Sequence, residues 1–139
     1  MKDLADLIGR VLIAFIFLYE AYDSIFYFKD TKHTMTSYGV TWNQDLLLYG
    51  SIVILLLGGT LLLLGYRSGF GAVLLLLYWI PVTFIVHSFW NDPVEEQRLQ
   101  AILFMKNLGV AGGLLLISVY GSGRFSIRRL FATAKVPGA

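Results

Sequence analysis

The sequence predicts an all-α, polytopic membrane protein: a bundle of four transmembrane helices with both termini in the cytoplasm. Three observations carry this expectation. Of 139 residues, 57% are hydrophobic and only 14% are charged, where a soluble domain has roughly 25% charged residues. The mean hydropathy is +0.69, more apolar surface than so small a core hides, so the bilayer must solvate most side chains. Finally, several stretches nearly free of charge are each long enough to cross roughly 30 Å of hydrocarbon.

The spans follow in order. The first, about residues 4–28, has the apolar centre VLIAFIFLY at 11–19 but carries Asp6, Arg10, Glu20 and Asp23. It is too long for a signal peptide, and no small-x-small cleavage site follows its centre, so it reads as a retained span. The second, about 46–64, has no charge. The third, about 70–90, has one histidine and no formal charge, and the fourth, about 99–120, has the single lysine Lys106. The five residues 65–69 (GYRSG) are a turn so short that the second and third spans must form an antiparallel hairpin. Residues 91–98 are a polar joint in which Asp92-Pro93 signals a helix start. Residues 29–44 read as the one long loop, laid against the membrane surface by Met35, Tyr38, Val40 and Trp42. No repeat or low-complexity linker stands out, so residues 1–139 read as one four-helix domain with a basic tail at 121–139.

Lysine and arginine set the expected orientation. Lys2, Arg10, Arg67, Arg124, Arg128, Arg129 and Lys135 fall on one side, and only Lys29, Lys32 and Arg98 on the other. The richer side is the cytoplasm, which leaves residues 29–44 facing the periplasm or cell exterior. In the tail, Phe125, Ile127, Leu130 and Phe131 interleave with the basic residues, as in a short amphipathic helix on an anionic leaflet. A plain topology anchor explains the same pattern.

An ionisable side chain within hydrocarbon needs a partner or water. Glu20 and Lys106 lie at matched depths, so an ion pair between them is the simplest way to satisfy both. Glu20 and Asp23, at i and i+3, share a face, and Asp23 lies at the depth of His87. The sequence therefore proposes one polar cluster in the outer half of the membrane: Glu20, Asp23, His87, Lys106 and Asn107. Thr83 and Trp90 border a pocket opened where Pro81 bends its helix. Gly109 and Gly113 share the Lys106 face at GxxxG spacing, which places that lysine in a helix–helix contact. A purely structural ion pair that fixes helix register is the competing reading, just as His87 reads either as a pocket residue or as a helix-end cap. Arg10 either snorkels to the inner headgroups or pairs with Asp6, its i−4 neighbour.

The chain has no cysteine, which excludes disulfides, thiol catalysis and cysteine-held clusters. His33 is the only other histidine, so no metal site is expected. There is no Ser/His/Asp set and no phosphate loop, and the net charge of +2 is too small and dispersed for nucleic acid. The reading leans away from an enzyme.

Residues 56–90, LLGGTLLLLGYRSGFGAVLLLLYWIPVTFIVHSFW, followed by QRLQAILFMKNLGVAGGLLLI at 97–117, resemble the DoxX family of small bacterial membrane proteins. The matching features are Gly-Gly and Leu-Gly-Tyr around the turn, Pro-x-Thr-Phe-x-x-His-x-Phe-Trp, and Phe-x-Lys-Asn before Gly-Gly-Leu-Leu. The first helix matches only through Gly9 and Arg10. The resemblance implies a four-helix bundle in the bacterial cytoplasmic membrane and suggests quinone-linked redox chemistry. Relatives tend to carry a carboxylate shortly before that Gly-Gly, where Leu55 stands here. With cysteine absent too, the resemblance implies a chain that holds a quinone or a partner rather than one that handles sulfur. Beyond the lipid bilayer, the expected partners are other membrane subunits or further copies of the chain, and no cofactor is required except, by resemblance, a quinone. The leading functional expectation is an accessory or partner-binding subunit. The alternatives are a quinone- or lipid-binding component of a membrane oxidoreductase and a small proton-coupled exporter.

Overall fold

Where the solvent offers no hydrogen bonds, an apolar chain satisfies its backbone by coiling into helices. Helices are the only regular structure in the computed structural model, which describes residues 1–134. Helix α1 is Lys2–Phe26, α2 Phe28–Ser37, α3 Gln44–Leu64, α4 Ser68–Val86, α5 Val94–Tyr120 and α6 Ile127–Ala134. A 3-10 turn, Phe89–Asn91, links α4 to α5. Among the described residues, α3, α4 with its following turn, and α5 are long and apolar enough to cross a membrane. Helix α1, with 25 residues, is about 37 Å long at 1.5 Å per residue, but its charges dilute its apolar character. The chain is an all-α membrane protein.

Two local expectations change. The segment read as a loop at 29–44 is largely the helix α2, separated from α1 only by Tyr27. No apolar stripe betrays α2 because none of its residues is buried. Its Thr31, Thr34 and Thr36 hydroxyls donate to carbonyls one turn back, those of Tyr27, Asp30 and Lys32. The end of α2 is tied to the start of α3 by a Lys32–Asp45 ion pair of 2.6 Å. The Gln44 amide adds donations to the Val40 carbonyl and the Thr36 hydroxyl. The α-helix of the third span also ends earlier than expected, although the span itself runs to Asn91: α4 runs through Pro81 and stops at Val86, with His87 as its cap donating its N–H to the Thr83 carbonyl. In the tail, residues 127–134 form the helix α6, while Lys135 lies outside the described residues.

Glycines decide where the helices touch. A Cβ on Gly58 of α3 would lie 3.1 Å from the carbonyl oxygen of Gly71 on α4. The adjacent Gly59 meets Leu18 of α1, and a Cβ there would lie 2.9 Å from its Cδ2. The neighbouring pair therefore lets α3 take one helix on each flank. Phe17 of α1 crosses to Trp79 of α4 edge-on, with ring centroids 4.9 Å apart, and Leu55, Leu75 and Leu114 are fully buried around them. Helix α5 packs along α4 and reaches α1 at Gly113, against Ile13.

At the end where both termini lie, Arg10 is only 1% exposed. Its Nε donates to Asp6 Oδ2 at 2.9 Å, Nη1 to the Leu62 carbonyl at 2.9 Å, and Nη2 to the Phe125 carbonyl. Asp6 also accepts the Gly123 N–H and Asp3 that of Arg124. Of the two roles the sequence left open for Arg10, the structure shows the Asp6 pair and not the snorkel. The Arg10→Met variant takes the cation from Asp6 and a donor from two carbonyls, and removing one partner of a buried pair costs about 3–5 kcal/mol. Thermal unfolding in mild detergent should show that loss, and Gly65→Ala should also destabilise, because Gly65 has φ +68° and a Cβ there would lie 2.7 Å from Arg10 Nη1.

Candidate functional site

Helices α3 and α4 are joined by the tight turn at 65–67, and beyond the Gly58–Gly71 contact a gap lies between them. The gap is a cavity of about 1480 Å³. Leu47, Ser51 and Ile54 of α3 face Tyr78, Val82 and Ile85 of α4 across it, while α1 and α2 complete its wall. Glu20 and Asp23 of α1 and Asp30 of α2 line it, and no lysine, arginine or histidine does. The Tyr78 hydroxyl donates to Glu20 Oε1 at 2.8 Å. Pro81 has no N–H, so the Leu77 carbonyl loses its helical donor, and both residues lie on the cavity wall.

The polar residues singled out in the sequence do not form one hydrogen-bonded cluster. Glu20 and Asp23 share the cavity as their i, i+3 spacing predicts. Asn107 lies in the α4–α5 contact: its side-chain amide donates to Thr83 Oγ1 at 3.2 Å, and its carbonyl accepts the Trp79 indole N–H at 3.0 Å. Thr83 is 2% exposed and donates to the Trp79 carbonyl, so it links the two helices and is not among the residues lining the cavity. Lys106 stands apart on the exposed face of α5, beside Arg98 and Ile102 in a shallow groove. It makes no ion pair among the described residues.

The expected Glu20–Lys106 pair is therefore not formed, and the physical reason is lateral direction: Glu20 meets Tyr78 in the cavity, while Lys106 lies on the exposed face of α5. Lys106 projects roughly in line with Gly113, which touches α1, but α1 and α5 meet at that lower turn and not at the depth of Lys106. Gly109, on the same face, has no atom within 4 Å of where a Cβ would stand. His87 Nδ1 is 2.8 Å from Gln100 Oε1, joining the far ends of α4 and α5. Trp90 packs with Phe84, Phe89 and Phe104. Tyr78 is the residue that reading by charge missed; its signal is depth, since an aromatic hydroxyl level with Glu20 is a neutral partner for a carboxylate. Among the described residues, no three His, Cys, Asp or Glu side chains are grouped to hold a metal ion.

Coupling energies separate these arrangements. In double-mutant cycles on unfolding, Glu20→Gln and Lys106→Met should add to within about 0.5 kcal/mol, whereas Glu20→Gln and Tyr78→Phe should couple by about 0.5–3 kcal/mol.

Comparison with known proteins agrees with this architecture. The DoxX family model matches residues 5–88, which takes in α1 as well as α2, α3 and α4. Inner membrane protein YqjF of Escherichia coli K12 is 28% identical over 130 residues, 94% of this chain and 94% of that protein. Inner membrane protein YphA of the same organism is 28% identical over 123 residues, 88% of this chain and 87% of that one. A Surfeit locus protein 4 homolog of Schizosaccharomyces pombe is 28% identical over 124 residues, but these make up only 36% of its length. No solved structure matches. With more than half of its length inside the family model, this chain belongs to the DoxX family and is a multi-pass protein of the inner membrane.

Proposed function

We propose that the chain is an accessory subunit that docks a partner membrane protein on α5. Lys106 carries this reading. It lies near the midpoint of a 27-residue helix, exposed and without an ion pair among the described residues. A cation at that depth facing hydrocarbon is costly, and such groups pair with one another or line wet pathways. Helix α5 is also the least covered of the three apolar spans, and Gly109 and Gly112 leave its surface open to close approach. The partner that fits is a transmembrane helix with a carboxylate at mid-depth. This chain's own Glu20 and Asp23 line the cavity on the other side of α4, which argues against a second copy in that role.

The same proposal takes α1 as a fourth span and both termini as cytoplasmic. Support comes from the length of α1, its packing along α3, and Lys2, Arg67 and Arg124 gathered at one end. A second reading is favoured by the cavity: a site for a membrane-borne ligand. For a quinone, neither His87 nor Lys106 is in the lining to donate to a carbonyl, and the lining hydroxyls free of a hydrogen bond among the described residues include those of Tyr19, Ser24, Tyr27 and Tyr38.

Two experiments follow. Photo-crosslinkers at Ile102 and Met105 in native membranes should capture one partner that Lys106→Met releases and Lys106→Arg retains; capture of lipid alone, unchanged in Lys106→Met, refutes the docking role. Since the chain has no cysteine, single cysteines report sidedness cleanly. Trp42→Cys should react with an impermeant maleimide in intact cells, and Arg128→Cys only after permeabilisation.

A further inference from the structure

The cavity between α3 and α4 is apolar along its length and acidic at graded depths. Asp30 stands on α2 at the far rim. Asp23 follows on α1, and Glu20 lies a turn deeper, about 9 Å below the end of α1 at 1.5 Å per residue. No lysine, arginine or histidine lines the space, and among the described residues none forms an ion pair with these three carboxylates. Only one oxygen of Glu20 is engaged, by the Tyr78 hydroxyl. The Asp23 carboxylate has no hydrogen-bond or ion-pair partner among the described residues. The Leu77 carbonyl, relieved of its helical donor by Pro81, adds another acceptor to the same wall.

An apolar space with uncompensated carboxylates stabilises a hydrophobic body that carries a positive charge. Each carboxylate in low dielectric gains from a nearby cation far more than it would in water. The lining also offers the rings of Tyr19, Tyr27 and Tyr38, whose faces attract onium groups. An anionic or neutral amphiphile gains none of these contacts. From this charge complementarity, we propose that the cavity is a binding site for a lipophilic cation: an amphiphile with an ammonium or other onium head that enters from the membrane and seats its charge between Glu20 and Asp23. The inference rests on the cavity being a ligand site, the second reading given above, and adds the chemical class of the ligand.

The test uses the full chain in nanodiscs of phosphatidylcholine and two probes of like shape and opposite charge, tetraphenylphosphonium and tetraphenylborate. The phosphonium should bind saturably, one per chain and at least tenfold tighter than the borate. Glu20→Gln combined with Asp23→Asn should weaken it tenfold or more, while Lys106→Met leaves it unchanged. The glutamine keeps an acceptor for Tyr78, and Ile54→Trp offers an independent check, filling the cavity without altering a charge and abolishing the binding. Hexadecylamine in the bilayer should displace the phosphonium; displacement by water-soluble spermidine alone overturns the assignment to a membrane-borne amphiphile. Equal binding of the two probes, or full binding by the double variant, overturns the charge assignment. Absence of binding by either probe, or binding untouched in Ile54→Trp, overturns the cavity itself as a ligand site.

Discussion

The guanidinium of Arg10 is the constraint on which the termini end of the protein depends. A fully buried arginine is tolerable only when its donors find acceptors. Here those acceptors come from three separate parts of the chain: Asp6 one turn back on α1, the Leu62 carbonyl in the last turn of α3, and the Phe125 carbonyl beyond α5. The Leu62 carbonyl, in the last turn of α3, also accepts the Gly65 N–H at 3.2 Å, so Arg10 adds a second donor at the C-terminus of another helix. Gly65, with no side chain, leaves the room the guanidinium occupies.

The cavity is the geometric counterpart of that closed end. The short turn and the Gly58–Gly71 approach hold α3 and α4 together at one end, and the cavity lies between them beyond that contact. The space is walled by α1 and bordered by α2, which the Lys32–Asp45 pair and Gln44 fasten to the start of α3. Helix α5 reaches α1 at Gly113, while Gly109, one turn away toward Lys106, meets nothing.

The fold was largely legible because hydrophobic length and the five-residue turn at 65–69 depend on local sequence alone. Charge marked Arg10, Glu20, Asp23 and Lys106 as residues needing explanation, and i−4 spacing named Asp6 for Arg10. What the sequence could not show was lateral direction. Depth along a helix can be counted, which is why Glu20 and Lys106 looked like partners, but which flank a helix turns to its neighbours is set by packing at Gly58, Gly59, Gly71 and Gly113. Helix α2 escaped notice because it buries nothing, and its support is the back-bonding of its own threonines. Tyr78 escaped because the search was for charges, while the partner of Glu20 is a neutral hydroxyl.

The acceptors of Arg10 also differ in when they come into existence. Asp6 precedes it and is in place as soon as α1 coils, whereas Phe125 is made 115 residues later. At 5–20 residues per second, that interval is roughly 6–23 s of synthesis. Throughout it, the first helix must be held in or against the membrane with its arginine neutralised by Asp6 alone. The knot that fastens the termini end therefore closes late in synthesis, and a chain released before residue 125 leaves it untied.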